Sequence, residues 1–435
     1  MEMSGSSLPG EAQPSRWPSS VVTTLGAIAG FCAYFCMYAF RKPIAAAEFA
    51  DIHAGFLGID YKTLAIIAQV AGYAASKLIG VRVIAEAGRR GRGKAILTLI
   101  ALSWIALILF AIVPAPWNAG IMILNGLPLG MIWGLVFSYL EGRRNSELLG
   151  AILCASFILS SGVVKTVATL LMAAGVGEFW MPAATGLLFF PLLFGSVWVL
   201  EKLPPPNAED ERERTPRVPM DGADRRSFLR EHGLALVLLV AGYVLLTAIR
   251  DFRDNFAAEL WAGLGYSHVA AVFSASEIPV AAIALGGLGA LMLIRDNMRA
   301  LLVMHGVVIV GAVLLGLATL AFQAGAIGPI AWMILTGAGL YLSYTPFNAM
   351  LFDRMIAAIG KAGNAGFLIY IADASGYCGS VALLLYRSVA EPGMRWLPFF
   401  MGCCYATAVV VGVLTLASAF YFHHRGRRMA VLAAA

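Results

Sequence analysis

Residues 201–232 read EKLPPPNAEDERERTPRVPMDGADRRSFLREH. Pro204-Pro205-Pro206 and the run Glu209-Asp210-Glu211-Arg212-Glu213-Arg214 are the reverse of an apolar helix, and 15 of the chain's 56 charged residues fall in these 32 positions. Such a stretch is a solvated linker. On both sides of it the chain changes character. Over all 435 residues, 60% are hydrophobic and 13% charged, against about 45–50% and about 25% in a soluble domain. Mean hydropathy is +0.80. A soluble fold of this length has too little interior to hide that much apolar surface. Composition therefore excludes a soluble enzyme, a disordered chain and a secreted disulfide scaffold.

The apolar runs flanking the linker are near-continuous rather than alternating, so they predict membrane-spanning helices and not a barrel. Twelve are long enough to cross: 21–47, 62–84, 94–113, 118–140, 148–174, 182–200, 233–262, 268–294, 299–323, 328–351, 364–388 and 395–420. The expected fold is thus all-α and integral to the membrane, with twelve transmembrane helices. Residues 1–200 form one six-helix half, 201–232 the charged linker and 233–435 a second half. Two such halves, repeated about an axis normal to the membrane, are a common plan of secondary transporters.

The net charge of +6 reflects basic loops gathered on one side rather than a nucleic-acid surface. With the N-terminus inside, 22 of the 31 Lys and Arg fall on one face, among them Arg82, Arg89, Arg90, Arg92, Lys94, Arg143, Arg144, Arg354, Lys361 and Arg425. That asymmetry predicts cytoplasmic termini and a cytoplasmic linker. Cys32, Cys36, Cys154, Cys378, Cys403 and Cys404 all lie inside apolar runs, without metal-ligand spacing. The six histidines form no His-Glu-x-x-His pattern, and no Gly-x-x-x-x-Gly-Lys loop offers a seat for ATP. No enzyme activity, metal or cofactor is expected. The expected partners are the lipid bilayer and a small anionic substrate, with no nucleic acid, and the chain is expected to act as a monomer.

An ionisable group in hydrocarbon costs at least about 2.5–3.5 kcal/mol, so each one should face a cavity or a partner. The charges inside the runs are Arg41 and Lys42 in the first, Lys77 in the second and Lys165 in the fifth. The seventh holds Arg250, Asp251, Arg253 and Asp254, the eighth Glu277, and the eleventh Asp373 and Arg387. The interiors of the third, sixth, ninth and twelfth carry none. Arg41 and Arg250 stand at similar depth in the first run of each half, so a pseudo-two-fold brings them to opposite walls of one cavity. Two guanidiniums facing each other invite an anion between them, and their planar forks match phosphate or carboxylate. Other readings remain open at this point. Arg41 has the position of a side chain snorkelling to the interface, and Arg250 has Asp251, Asp254, Glu277 and Asp373 as possible counter-ions. Lys165 either adds to the anion site or pairs with a carboxylate across the bundle. Glu277 and Asp373 are either proton carriers or charge-pair partners. Tyr341, Tyr344 and Asn348, like Asn125 and Trp133, either contact the organic part of a substrate or pack.

At these residues the sequence is similar to the organophosphate:phosphate exchangers (the sugar-phosphate exchangers) of the major facilitator superfamily. Tyr34-Phe35-Cys36-Met37-Tyr38-Ala39-Phe40-Arg41-Lys42-Pro43-Ile44 resembles their first helix, aromatic-rich and ending in Tyr-x-x-Arg-Lys. Gly72-Tyr73 through Ser76-Lys77 and Gly80 resemble the Tyr-x-x-Ser-Lys-x-x-x-Gly of their second. Leu246-Thr247-Ala248-Ile249-Arg250 falls where their seventh carries a phosphate-binding arginine. The resemblance implies that Arg41 and Arg250 hold phosphate, with Lys77 adding positive potential and Tyr38 a hydroxyl. It also implies that the first and fourth helices of each half line the cavity while the third and sixth face lipid. Two departures stand out. The loop after Gly80 reads Val81-Arg82-Val83-Ile84-Ala85-Glu86-Ala87-Gly88-Arg89-Arg90, without the superfamily's Asp-Arg pair. The fifth-helix histidine of the bacterial exchangers is absent from Ala155-Ser156-Phe157-Ile158.

The expectation is a secondary active transporter in the plasma (bacterial inner) membrane. It exchanges a phosphorylated metabolite for phosphate through a site of Arg41, Arg250, Lys77, Tyr38, Lys165, Tyr344 and Asn348, with Glu277 and Asp373 as proton-coupling or charge-pair residues. The alternatives are a proton-coupled organic anion symporter and a transporter-like membrane sensor.

Overall fold

The computed structural model describes residues 18–52, 58–86, 91–140, 143, 146–205, 222–267, 269–359, 365–390 and 393–434. The acidic-basic run of the linker, Arg89, Arg90, Arg144 and Lys361 lie outside them, so the expected basic face is only partly within the described residues. The described chain is helical. That follows from the apolar runs, because in hydrocarbon only internal hydrogen bonds can satisfy the backbone.

The helices are α1 (Ser19–Met37), α2 (Tyr61–Glu86), α3 (Arg92–Ile112), α4 (Met122–Leu129), α5 (Ile132–Leu140), α6 (Ser146–Ala173) and α7 (Met181–Lys202) before the charged segment. After it come α8 (Gly222–Asn255), α9 (Ala257–Gly263), α10 (Ala271–Met292), α11 (Asn297–Gln323), α12 (Pro329–Ala349), α13 (Leu351–Ile359), α14 (Ala365–Ala390) and α15 (Trp396–Ala434). Helix α8 begins inside the polar stretch 201–232, its first turns extending the seventh apolar run toward the linker.

Among the described residues nine helices are both long and apolar enough to span a membrane. Helices α2, α12 and α14, of 26, 21 and 26 residues, match the remaining three runs in length. They are not among the nine, and they carry Lys62, Gln69 and Lys77, then Tyr341, Tyr344 and Asn348, then Asp373 and Arg387. Polar load lowers their apolarity because these helices face inward. The helices of the runs without internal charge show the opposite. Leu102, Ile105 and Leu109 of α3, Leu188 and Phe194 of α7, Val310 and Leu317 of α11, and Val409, Val413 and Phe420 of α15 are exposed. An exposed apolar belt on long helices makes this an integral membrane protein.

Helix pairing repeats along the chain. Before the linker, α1 packs on α6 and α7, α2 on α4, and α3 on α4 and α7. After it, α8 packs on α14 and α15, α10 on α12, and α11 on α12 and α15. The two sets meet where α6 packs on α10 and α2 on α14. At the first contact Gly162 lets backbones approach, because a Cβ there would strike the Phe273 carbonyl and the Glu277 side chain. Gly72 and Gly126 do the same between α2 and α4, each lying against the other helix's backbone.

Several spans are broken. The run 21–47 is helical only to Met37, then continues as 3-10 turns at Tyr38–Phe40 and Pro43–Ala46. Pro43 bears on this, since it has no N–H to close a helical bond onto the Ala39 carbonyl. The backbone N–H groups of Arg41 and Lys42 both turn back to the Tyr38 carbonyl, at 3.0 and 2.8 Å. Pro128, near the end of α4, precedes the break before α5. The seventh run breaks at Phe256 between α8 and α9.

Candidate functional site

Spacing places several polar and aromatic side chains on shared helix faces. Tyr34/Tyr38, Tyr73/Lys77, Tyr344/Asn348 and Asp373/Tyr377 are each four residues apart, one above the other on a helix or its continuation. The bundle brings these four pairs together with Trp133, Phe157 and Arg250 around one cavity. The free space left there is about 20 Å³, room for about one water molecule.

Arg41 is 2% exposed, so it does not snorkel to an interface. Its guanidinium lies 3.9 Å over the Tyr73 ring and 5.6 Å from that of Tyr377, and its Nε and Nη2 have no hydrogen-bond partner. Arg250 lies 4.3 Å over Tyr344. Its Nη2 donates to Asp251 Oδ1 at 2.9 Å, and Asp251 Oδ2 accepts from Ser380 Oγ at 3.0 Å. Tyr73 and Tyr377 beside Arg41, and Tyr344 beneath Arg250, all line this one cavity. The rings of Tyr73 and Tyr377 meet edge-on at 4.8 Å. The two arginines therefore flank one aromatic chamber; Arg250 pairs directly with Asp251, while Arg41 lies against ring faces and makes no direct ion pair among the described residues.

Asp373 faces the same cavity. It pairs with Lys77 Nζ at 3.1 Å and accepts from the Tyr243 hydroxyl. That hydroxyl in turn accepts from Asn348 Nδ2 at 3.1 Å and lies 3.0 Å from the Tyr344 hydroxyl. Lys77 joins α2 to α14 across the contact between the two helix sets.

A second charged cluster lies nearer the end of the bundle remote from Ser19. The Asp254 carboxylate takes Lys42 Nζ at 2.5 Å, Lys165 Nζ at 2.7 Å and the Ser161 hydroxyl. Lys42 also donates to Asn255 Oδ1 at 2.8 Å. Arg253 Nη1 donates to Glu277 Oε1 at 2.7 Å and Arg253 Nη2 to the Met333 carbonyl at 3.0 Å, leaving Glu277 Oε2 without a partner. Still further out, Lys62 pairs with Glu259 at 2.5 Å, while Arg387 stacks 3.2 Å over Trp396 and reaches Asp60 at 3.6 Å. These outermost groups line a cavity of about 400 Å³.

Of the residues singled out from sequence, Arg250, Lys77, Tyr38, Tyr344, Asn348 and Asp373 line the chamber, and Arg41 lies against its Tyr73 and Tyr377 walls. Lys165 stands apart on Asp254, and Glu277 apart on Arg253, the charge-pair arrangement in both cases. Tyr341 stacks toward Phe157 at 6.1 Å. Asn125 is a structural tie, its Nδ2 donating to the Phe40 carbonyl and Ser103 Oγ. Sequence reading missed Tyr243, Phe157 and Tyr377, and the Lys62–Glu259 pair. The only available signal was spacing: Tyr377 follows Asp373 by four residues and Tyr243 precedes Arg250 by seven, each on the same face.

This architecture recurs in solved structures. One is a bacterial homologue of the human drug peptide transporters PepT1 and PepT2, 15% identical over 94% of this chain and 99% of the other, with a TM-score of 0.61. Another is a D-xylose–proton symporter, 14% identical over 92% of this chain and 96% of the other, with a TM-score of 0.57. At such identities the likeness is one of fold. Residues 43–425 match the family of unknown function DUF5690, and the chain belongs to that family. No curated protein matches it.

Proposed function

We propose that this protein is a secondary active transporter of a small organic anion, a phosphorylated metabolite exchanged for phosphate. It works by alternating access of two six-helix halves, residues 1–200 and 233–435, as a monomer in the plasma (bacterial inner) membrane with both termini cytoplasmic. The recurrence of the same helix pairings on either side of the linker supports the two halves. The transporters named above support the class. The observation that carries the cargo chemistry is Arg41. A buried donor without a partner costs about 1–3 kcal/mol, and Arg41 keeps two such nitrogens against the walls of the chamber that Arg250 lines. An anionic oxygen arriving there satisfies them. Charge neutralisation then lets the two walls close around the cargo, and an empty chamber resists closure, which favours exchange over uniport.

Counterflow into phosphate-loaded liposomes tests this with wild type, Arg41→Lys and Arg250→Lys. Lysine keeps the charge and loses the fork, so each variant should lose about tenfold or more in exchange, on the scale of a charge-assisted contact. Unchanged rates in both would sink the anion clamp. A second reading, proton-coupled symport, draws on the unpartnered Oε2 of buried Glu277. The same vesicles separate the two, because exchange persists without a pH gradient and symport does not.

A further inference from the structure

The chamber is charged unevenly, and the imbalance specifies more than an anion. Arg41, Arg250 and Lys77 bring three positive charges, and Asp251 and Asp373 bring two negative ones, all buried. Among the described residues around the chamber the balance is +1. Buried ions are tolerated when they are paired and neutralised. A phosphate monoester, carrying about −1.5 to −2 at neutral pH, overshoots that balance unless it brings a positive charge of its own.

The chamber already shows where such a charge fits. The Lys77 ammonium sits 3.1 Å from Asp373, 5.6 Å from the Tyr73 ring centroid and 5.7 Å from that of Trp133. A carboxylate flanked by ring faces is a seat for a primary ammonium, here taken by the chain's own lysine. Arg41, with its unpartnered Nε and Nη2, lies against the same Tyr73 ring. Tyr73 is thus shared by an ammonium seat at Asp373 and an oxyanion seat at Arg41.

We propose that the cargo is a zwitterion of net charge about −1, a phosphomonoester bearing a protonated amine. Its phosphate binds Arg41 and its ammonium binds Asp373. On entry the cargo's ammonium displaces Lys77 from Asp373, and Lys77 turns to the phosphate beside Arg41. Asp373 is then the residue that selects amine-bearing cargo, and Lys77 is its built-in competitor. This inference rests on the anion-transport reading given above.

The test compares O-phosphoethanolamine with glycerol 3-phosphate, by calorimetric binding to the purified full chain and by counterflow in liposomes. Wild type should prefer the amine by about tenfold, Asp373→Asn should reduce that ratio to about twofold or less, and Lys77→Gln should raise it by removing the competing ammonium. A purely structural role for the Lys77–Asp373 pair would lower both affinities together and leave the ratio in place. Equal affinity for the two probes in wild type, or a ratio that survives Asp373→Asn, overturns the inference. Exchange of glycerol 3-phosphate without amine preference leaves anion transport standing. Failure of both probes to bind and exchange removes both proposals.

Discussion

Arg41 and Lys42 are neighbours in sequence and equally buried, yet their surroundings are opposite. Lys42 has Asp254 and Asn255 within 2.5 and 2.8 Å. Arg41 lies against the faces of Tyr73 and Tyr377, with no direct ion pair among the described residues, and two of its nitrogens are unpartnered. The first environment neutralises a buried charge and so holds structure together. The second holds a charge that is incompletely met, which is what a site waiting for an oppositely charged ligand requires. On the transport reading proposed above, the contrast separates the two clusters by role: the Asp254 cluster ties the helix sets together, and the aromatic chamber takes the cargo.

The contrast can be broken most forcefully at Asp254. Asp254→Asn leaves Lys42 and Lys165 buried without a countercharge, and loss of one partner of a buried pair costs about 3–5 kcal/mol. This variant should show the largest fall in unfolding temperature in detergent, and a stability equal to wild type would refute the structural role. A smaller effect is expected at Tyr73. Tyr73→Leu removes the ring under Arg41, a contact worth about 0.5–2 kcal/mol, so anion affinity measured calorimetrically should drop by about tenfold. The smallest effect belongs to Asp60→Asn, which removes the charge facing Arg387 and keeps the stack on Trp396. The Asp60 side chain is 48% exposed at 3.6 Å from Arg387, and solvent-screened pairs contribute about 0.2–1 kcal/mol at most. Unfolding temperature should barely move, and a large loss would mean that this pair helps tie the helix sets together.

Much of the chamber was legible because hydrocarbon makes charge conspicuous. Arg41, Arg250, Lys77 and Asp373 stood out inside apolar runs, and the structure gathers all four. Lys165 and Glu277 stood out equally, yet each belongs to another pair. Nothing local distinguishes a lysine that faces a cavity from one that meets Asp254, its partner 89 residues away. The aromatic walls were harder still. Tyr243, Tyr377 and Phe157 are ordinary residues of a transmembrane run, as frequent in packing as in sites. Pro43, which bears on the break after Met37, is visible in the sequence, although the run 21–47 reads as one span by hydropathy alone.

Composition and periodicity by themselves determined that this chain lives in a bilayer as helices, and which buried charges need company. Those follow from solvation costs paid residue by residue, so the order of amino acids suffices. Only the tertiary structure decided which carboxylate meets which base, that Arg250 is countered by Asp251, and that Arg41 is left among tyrosines. Pairing depends on distance in space: Lys42 and Lys165 come from helices far from Asp254 along the chain and lie within 3 Å of it only once the two helix sets close on each other.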